Sequence, residues 1–250
     1  MLVSLVTLPV GAQANGHSWY CKHVKGHGQP PIGSDLSFVE ECGGYYIDRR
    51  NSDPNAAQKV IYLTFDVGYE NGNVARVLDT LKEENVTAAF FILGNVIERN
   101  TELVRRMVDE GHTVGNHTVH HKNMAEADEK TLLEELHALE SLYEEKIGGK
   151  LSSYYRPPEG RFSKENLLCA KENGYTTVFW SFAYPDWDNG RQMPTEMAKR
   201  IILENAHNGE IMLLHPTSAT NAEILGEVIR TLKSEGYRFG TLDELTQGAD

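Results

Sequence analysis

The sequence predicts an α/β protein whose parallel strands form a closed or nearly closed barrel. From residue 58 onward, short runs of β-branched and aromatic residues alternate with amphipathic runs of helical spacing. Parallel neighbours need a crossover connection, usually a helix, so this alternation indicates a parallel sheet. About seven such repeats in some 190 residues favour a barrel, and a doubly wound open sheet is the alternative.

The bulk composition is that of an ordinary globular protein. The chain has 250 residues, of which 40% are hydrophobic and 24% are charged, so it can build one large domain or two small ones. Its formal net charge of -12 argues against nucleic-acid binding, because phosphate backbones require a basic protein face.

The N-terminal region divides into two parts. Residues 1–14 are apolar and end in Ala12-Gln13-Ala14, which resembles the tail of a truncated signal peptide with a small-x-small cleavage site. The stretch is too short to span a bilayer, and a core strand is the alternative. Residues 15–57 lack periodicity, so we expect an extension that wraps against the main domain at residues 58–250.

Three cysteines occur in the chain. In an exported protein, Cys21 and Cys42 could form a disulfide across the extension, and two free thiols are the alternative. Cys169 lies in a predicted helix, where a buried small hydrophobe is expected.

Seven strands are predicted where apolar, β-branched or aromatic residues run together. In chain order they are Val60–Phe65, Ala88–Ile92, Thr113–Asn116, Ser153–Arg156, Thr176–Ser181, Glu210–His215 and Tyr237–Phe239.

Helices are predicted between these strands. Asn73–Glu84 and Asp128–Glu145 both carry apolar residues along one face. Asp128, Ser163 and Thr195 are expected N-caps. Glycines at 111, 174 and 236 follow helices at the point where a left-handed residue ends them. His207, which follows a helix, is expected to face solvent.

Polar residues cluster where the strands end. Because the carboxyl ends of barrel strands face one side, five chain segments are expected to meet at a single mouth. These residues are Asp66 after the first strand, His117 after the third, Arg156 at the end of the fourth, Asp186 and Trp187 after the fifth, and His215 at the end of the sixth.

The pair His117 and His121 is a candidate metal site. Residues four apart share one face of a helix, so a helical segment would let both rings chelate one cation. Solvated or structural histidines are the alternative.

Two ionisable pairs complete a candidate hydrolytic centre. A guanidinium at Arg156 would keep Asp66 ionised, as a general base requires, although a structural ion pair has the same signature. Asp186 would hold His215 in one tautomer and favour its protonated form, although an apolar strand often ends in a satisfied core imidazole. Together with a metal, a base and an acid of this kind favour amide or ester hydrolysis.

These residues resemble the NodB-homology polysaccharide deacetylases, carbohydrate esterase family four, over about residues 58–246. Five motifs occur in the family's order: Thr64–Gly68 resembles TFDDG, His117–His121 resembles H-[ST]-x-x-H, Arg156–Gly160 the third motif, Asp186-Trp187 the fourth and Leu213–His215 the fifth. The resemblance implies a distorted (β/α) barrel of seven to eight strands.

The resemblance also implies residue roles. Its members use a divalent metal, usually zinc, and an oxyanion-stabilising backbone N–H. On this basis Asp66 is the base, His215 the acid, Arg156 and Asp186 their orienting partners, His117 and His121 the metal ligands, Glu159 the N–H donor, and Trp187 and Leu213 residues that line the site.

One position departs from the family pattern. Val67 replaces the second Asp of TFDDG, which is normally the third metal ligand. Valine cannot coordinate a cation, so the metal is expected to bind more weakly.

The motifs are most similar to those of the delta-lactam-biosynthetic branch, which deacetylates N-acetylmuramic acid in peptidoglycan to prepare the muramic δ-lactam of spore cortex. That branch implies peptide-stripped glycan strands as substrate and a cell-wall or spore-envelope location. No stable protein partner is evident from the sequence, and we expect a monomer. Arg161 is a candidate clamp for the lactyl carboxylate, and a surface arginine is the alternative.

Two other functions remain open. One is a chitin- or xylan-type deacetylase of the same mechanism, and the other is a catalytically silent glycan-binding module that lost its metal with Val67. The intact acid, base and orienting partners argue against the silent module.

Overall fold

The computed structural model describes residues 16–247, so the predicted signal segment lies outside the described part of the chain. The strands are β1 (His17–Ser18), β2 (Lys59–Val67), β3 (Ala89–Ile92), β4 (Thr113–Asn116), β5 (Tyr154–Tyr155), β6 (Arg161–Phe162), β7 (Thr176–Thr177), β8 (Glu210–Leu214) and β9 (Tyr237–Phe239). The helices are α1 (Phe38–Glu41), α2 (Asn73–Glu83), α3 (Gly94–Arg99), α4 (Thr101–Asp109), α5 (Glu129–Lys146), α6 (Lys164–Glu172), α7 (Thr195–Asn205), α8 (Ala219–Ser234) and α9 (Leu242–Thr246), with 3₁₀ turns at Ser34–Leu36 and Pro158–Gly160.

The predicted parallel barrel is confirmed. Its strands run in the order β7-β5-β4-β3-β2-β8, and β9 pairs with the start of β2. The ring closes where Phe182, downstream of β7, forms a parallel bridge with Met212 of β8. Both β5 and β7 are shorter than predicted, because residues after β7 leave β5 and bridge first to Tyr45 and then to β8.

Strand β2 shows how the sequence positions the site. Successive side chains of a strand face opposite sides, and a barrel strand is covered on both. Val60 and Tyr62 pack in the inner cluster with Phe91 of β3. Ile61, Leu63, Phe65 and Val67 pack in the cluster that includes the apolar faces of α2 and α8. Asp66 is therefore set on the inner side of β2, at its carboxyl end.

Most of the predicted helix boundaries are confirmed. Asp128 caps α5 by accepting from the N–H of Thr131, and Ser163 caps α6 by accepting from the N–H of Asn166. Glycines 111, 174 and 236 have positive φ angles of 81°, 83° and 88°. The predicted cap at Thr195 is wrong: this residue begins α7, and Pro194 occupies the N-cap position without a side-chain hydrogen bond.

The extension packs on the barrel through its own apolar cluster. Strand β1 pairs antiparallel with β6, so the start of the extension lies beside the third-motif loop. Trp19 is buried and stacks on Phe179 with ring centroids 4.6 Å apart. Tyr45 forms a parallel bridge with Val178, which ties the end of the extension to the segment after β7.

The three cysteines are free thiols, so the disulfide considered between Cys21 and Cys42 is not formed. Cys21 hydrogen-bonds the backbone of Ala183, whereas Cys42 follows α1 at a separate place in the fold. Cys169 is buried in α6, as predicted. Among the described helices, none combines the length and apolar character needed to cross a bilayer.

Candidate active site

A cavity of about 570 Å³ opens where the barrel strands end. Because parallel strands present their carboxyl ends on one side, the loops after β2, β4 and β8 contribute to the same wall. Seven of the predicted site residues line it: Asp66, His117, His121, Glu159, Trp187, Leu213 and His215. Arg156 and Asp186 lie behind this wall, each bonded to a residue that lines it.

Asp66 is held by a buried arginine. Nη1 of Arg156 donates to Oδ1 of Asp66 at 2.8 Å, and its other nitrogens donate to the carbonyls of Val178 and Phe179. Burial alone would raise the pKa of Asp66, but the guanidinium of Arg156, together with His117 and His215, outweighs burial and holds that pKa below its usual range. Asp66 is therefore ionised, with Oδ2 3.7 Å from Nε2 of His117.

His215 is held by a buried carboxylate. Oδ1 of Asp186 lies 2.7 Å from Nδ1 of His215, and Oδ2 accepts from the His215 backbone N–H at 2.7 Å. Asn221 of α8 also donates to Oδ2, which fixes the carboxylate. Burial alone would lower the pKa of His215, but the carboxylates of Asp186 and Asp66 together outweigh burial and raise it. With Nδ1–H engaged by Asp186, Nε2 is left to exchange a proton with a ligand.

The two metal-candidate histidines meet in a loop, so the expectation of a helical segment is wrong. Thr118 and His121 have positive φ angles of 69° and 58°. Polar side chains make this turn: Asn116 Oδ1 accepts from the Thr118 N–H, and Thr118 Oγ1 accepts from the His121 N–H. The rings of His117 and His121 still lie edge to face, with centroids 5.2 Å apart.

The histidine pair fits a cation as two ligands. Nδ1 of His117 donates to the Arg156 carbonyl at 2.8 Å, which leaves Nε2 as a free lone pair. Burial lowers the pKa of His117 to about 4, so the ring is neutral, as ligation requires. Residues 16–247 contain no group of three or more His, Cys, Asp or Glu side chains placed to hold a metal. Val67 packs against the helices and does not line the cavity.

The third-motif loop contributes the other wall. Glu159 adopts a left-handed conformation with φ of 54°, and Gly160 follows with φ of 63°. A Cβ at position 160 would lie 2.8 Å from the Trp180 ring and 2.9 Å from Trp19, so only glycine fits here. Arg161 is half-exposed and pairs with Glu159 at 2.9 Å, beside the cavity and not in its wall.

Several functional neighbours were missed by the sequence reasoning. Tyr69 and Thr217 line the cavity directly after the ends of β2 and β8, where the rule on carboxyl ends could have found them. Asn221 lies on α8 and reaches Asp186 through tertiary packing, which no sequence pattern marks.

The chain is similar to known deacetylases. A family model described as polysaccharide deacetylase matches residues 53–178. The chain is 40% identical over 231 residues to the peptidoglycan-N-acetylmuramic acid deacetylase PdaA of Bacillus subtilis, covering 91% of this chain and 85% of that protein. It is 33% identical over 193 residues to a peptidoglycan-N-acetylglucosamine deacetylase of Bacillus cereus, covering 75% and 88%. The solved structure of Bacillus subtilis PdaA, a family 4 carbohydrate esterase, superposes with a TM-score of 0.86 at 38% identity, covering 94% and 98%.

Proposed function

The chain belongs to the polysaccharide deacetylase family, and on this premise we propose that it hydrolyses the N-acetyl group of N-acetylmuramic acid in peptidoglycan and releases acetate. The observation that carries the proposal is that two oriented pairs, Asp66 with Arg156 and His215 with Asp186, present a base and an acid to one cavity.

Asp66 acts as the general base in this proposal. Its ionised carboxylate accepts a proton from water as the water oxygen attacks the acetyl carbonyl carbon. Arg156 keeps the carboxylate charged and aimed, because one oxygen is fixed by the guanidinium while Oδ2 faces the cavity side.

His215 acts as the general acid. The amide nitrogen becomes a leaving amine when the C–N bond breaks, and it needs a proton to depart. Asp186 favours the protonated form of His215 and fixes its ring, so that Nε2–H is placed to deliver that proton. When the C–N bond has broken, water has supplied the acetate oxygen, Asp66 has gained one proton and His215 has lost one, and proton exchange with solvent restores both groups for the next turnover.

The remaining predicted residues position the acetyl group. The backbone N–H of Glu159 is assigned to the oxyanion that develops on the carbonyl oxygen. Leu213 is assigned to the acetyl methyl, and Trp187, whose ring lies 6.3 Å from that of His215, to the face of the reacting sugar.

A divalent cation is the proposed cofactor, with zinc as the first candidate. His117 and His121 would hold it, and when bound it supplies a Lewis acid that polarises the carbonyl oxygen. Structural and catalytic zinc sites normally have at least three protein ligands, so a two-histidine set predicts weak retention.

Muramic acid is the proposed acetyl-bearing sugar. The similarity to a muramic acid deacetylase at 40% identity exceeds that to a glucosamine deacetylase at 33%. Arg161 is assigned to the lactyl carboxylate, for which it would have to exchange its present partner Glu159. We assign the product to muramic δ-lactam formation in spore cortex, and the protein to the cell wall or spore envelope as an exported monomer acting on peptide-stripped strands.

Substrate comparison tests this proposal. Acetate release is measured on peptide-free muramoyl glycan, on N-acetylglucosamine oligomers and on acetylated xylan, with zinc present. We expect release from the muramoyl glycan to exceed the others, and Arg161→Ala to raise KM for that substrate alone. Preference for either of the other substrates would replace the proposal with a chitin- or xylan-type deacetylase.

The incomplete ligand set favours one further candidate, a silent glycan-binding module. That candidate predicts glycan binding without acetate release under any divalent cation. The retained Asp66, Arg156, Asp186 and His215 geometry favours the enzyme.

A further inference from the structure

Two exposed aromatic rings stand at the entrance of the cavity. In the part of the chain that the structure describes, six large hydrophobic side chains are exposed, and two of them, Tyr69 and Trp187, line this one cavity. Tyr69 is 47% exposed and Trp187 61%, whereas Asp66 at the reacting position is 8% exposed. Tyr69 and Trp187 therefore form the outer rim of the cavity, and the proposed catalytic carboxylate of Asp66 lies deeper inside it.

The rim is fixed by side-chain bonds that join separate loops. Asn189, two residues after Trp187, donates from Nδ2 to the hydroxyl of Tyr69. This contact connects the loop after β2 to the loop that carries the fourth motif. The two loops thus form one continuous edge beside the cavity.

The loop that carries Tyr69 is also fixed by hydrogen bonds between asparagine side chains and backbone carbonyls. Asn71 and Asn73 both donate to the carbonyl of Thr217, at 2.9 and 3.0 Å. Asn95 donates to the carbonyl of Gly68 at 2.8 Å. These bonds fix the backbone on either side of Tyr69 before any ligand arrives, which lowers the entropic cost of binding.

The loop that carries Trp187 is braced in the same manner. Gln192 donates to the carbonyl of Asp188 at 2.9 Å, and its Oε1 accepts from Ser218 and from the N–H of Thr220. Both rings are thus presented by preorganised loops, as a binding site for a rigid ligand requires.

We infer that Tyr69 forms a second sugar subsite, which binds the ring next to the reacting N-acetyl sugar in the same glycan strand. This inference rests on the proposed function. The cavity volume of about 570 Å³ falls within the range of roughly 300–1,000 Å³ that is typical of ligand sites. A pyranose ring presents an apolar C–H face that an exposed tyrosine ring covers, while the hydroxyl group at the ring edge stays bonded to Asn189.

Glycan length provides the test. KM is measured for N-acetylmuramic acid alone, which has no neighbouring ring, and for a peptide-free muramoyl strand, with wild type, Tyr69→Ala, Tyr69→Phe and the control Tyr20→Ala. Tyr20 is equally exposed, at 48%, and does not line the cavity. We expect Tyr69→Ala to raise KM for the strand about fivefold more than KM for the single sugar, from the lost contact with the neighbouring ring. Tyr69→Phe should lose less of this length preference, because its ring remains.

The inference is overturned if Tyr69→Ala keeps the wild-type ratio of the two KM values, or if Tyr20→Ala changes that ratio to the same extent. Failure of the proposed function is distinguishable, because wild type would then release no acetate from either substrate. In that case calorimetric dissociation constants for the single sugar and the strand replace KM, with the same expected and contradicting ratios.

Discussion

At the scale of single residues, each proposed catalytic group depends on a partner that sets its charge. Asp66 is buried and His215 partly buried, each against a group of opposite charge, and in each the surrounding charges together outweigh the effect of burial on the pKa. The result is an ionised carboxylate and a proton-bearing imidazole at the same pH. A base and an acid with pKa values moved apart by their surroundings are what this hydrolysis requires.

Asp186→Asn tests this at His215. The substitution removes the charge that raises the pKa of His215 most, so that pKa falls, because burial and Arg156 lower it and only Asp66 still raises it. Activity needs protonated His215 and is lost as pH rises through that pKa. We therefore expect the alkaline limb of the kcat profile to move to lower pH, with kcat reduced about 100-fold or more. An unshifted alkaline limb would remove His215 from the role of acid.

At the scale of elements, the loops carry the features that the sequence predicted least well. The motif from His117 to His121 predicted two adjacent rings correctly but for the wrong reason. The rings meet because Asn116 and Thr118 form a polar turn with left-handed residues, and not because the segment is helical. Spacing alone does not separate these two backbones, since both bring residues four apart together.

The same loop sets how tightly the proposed divalent cation should bind. Two histidines without a third protein ligand should release a divalent cation to a chelator far more readily than a three-ligand zinc site does. Acetate release should fall after chelation and return on addition of zinc. His117→Ala should lose the recovery, and direct metal titration by calorimetry should show weaker binding. Full activity in the chelated protein would exclude the cation from the reaction.

At the scale of the whole molecule, the alternation of strands and helices was predictable because both elements have local periodicities. Strand β2 is recognisable from its continuous apolar run, and α2 from its apolar face. Barrel closure was not predictable in detail, because it depends on bridges between residues far apart in the chain, such as Phe182 with Met212. The extension was recognised only by its lack of pattern, yet it pairs with β6, with the segment after β7 and with β8.

His207 is the clearest failure at this scale. It was expected to face solvent, but it is buried, with Nε2 bonded to Ser181 and Nδ1 to the carbonyl of Asn205, each at 2.8 Å. The sequence position of His207, just after a helix, does not reveal that β8 and the segment after β7 pack around its side chain. Burial lowers the pKa of His207 to about 4, with His23 and His27 acting in the same direction.

This burial predicts a pH-dependent stability. Between pH 6.5 and 4, His207 binds a proton in the unfolded chain but not in the folded protein. The free energy of unfolding therefore decreases as pH falls through this window. Glu210, whose pKa is raised by burial 3.6 Å from His207, acts with the opposite sign. His207→Gln should therefore flatten the acid loss by about 2 kcal/mol relative to wild type, as measured by urea unfolding at pH 5 and pH 7. Equal pH dependence in both proteins would contradict this account.

Acetate release from peptide-free muramoyl glycan by wild type and Asp66→Asn, with zinc present, tests the central claim most directly. Asparagine preserves the shape of the side chain but cannot accept the proton of water as a carboxylate does. The account predicts release by wild type and a loss of at least about 100-fold in Asp66→Asn, with the fold retained. Undiminished release by Asp66→Asn, or no release by wild type with any divalent cation, would contradict it.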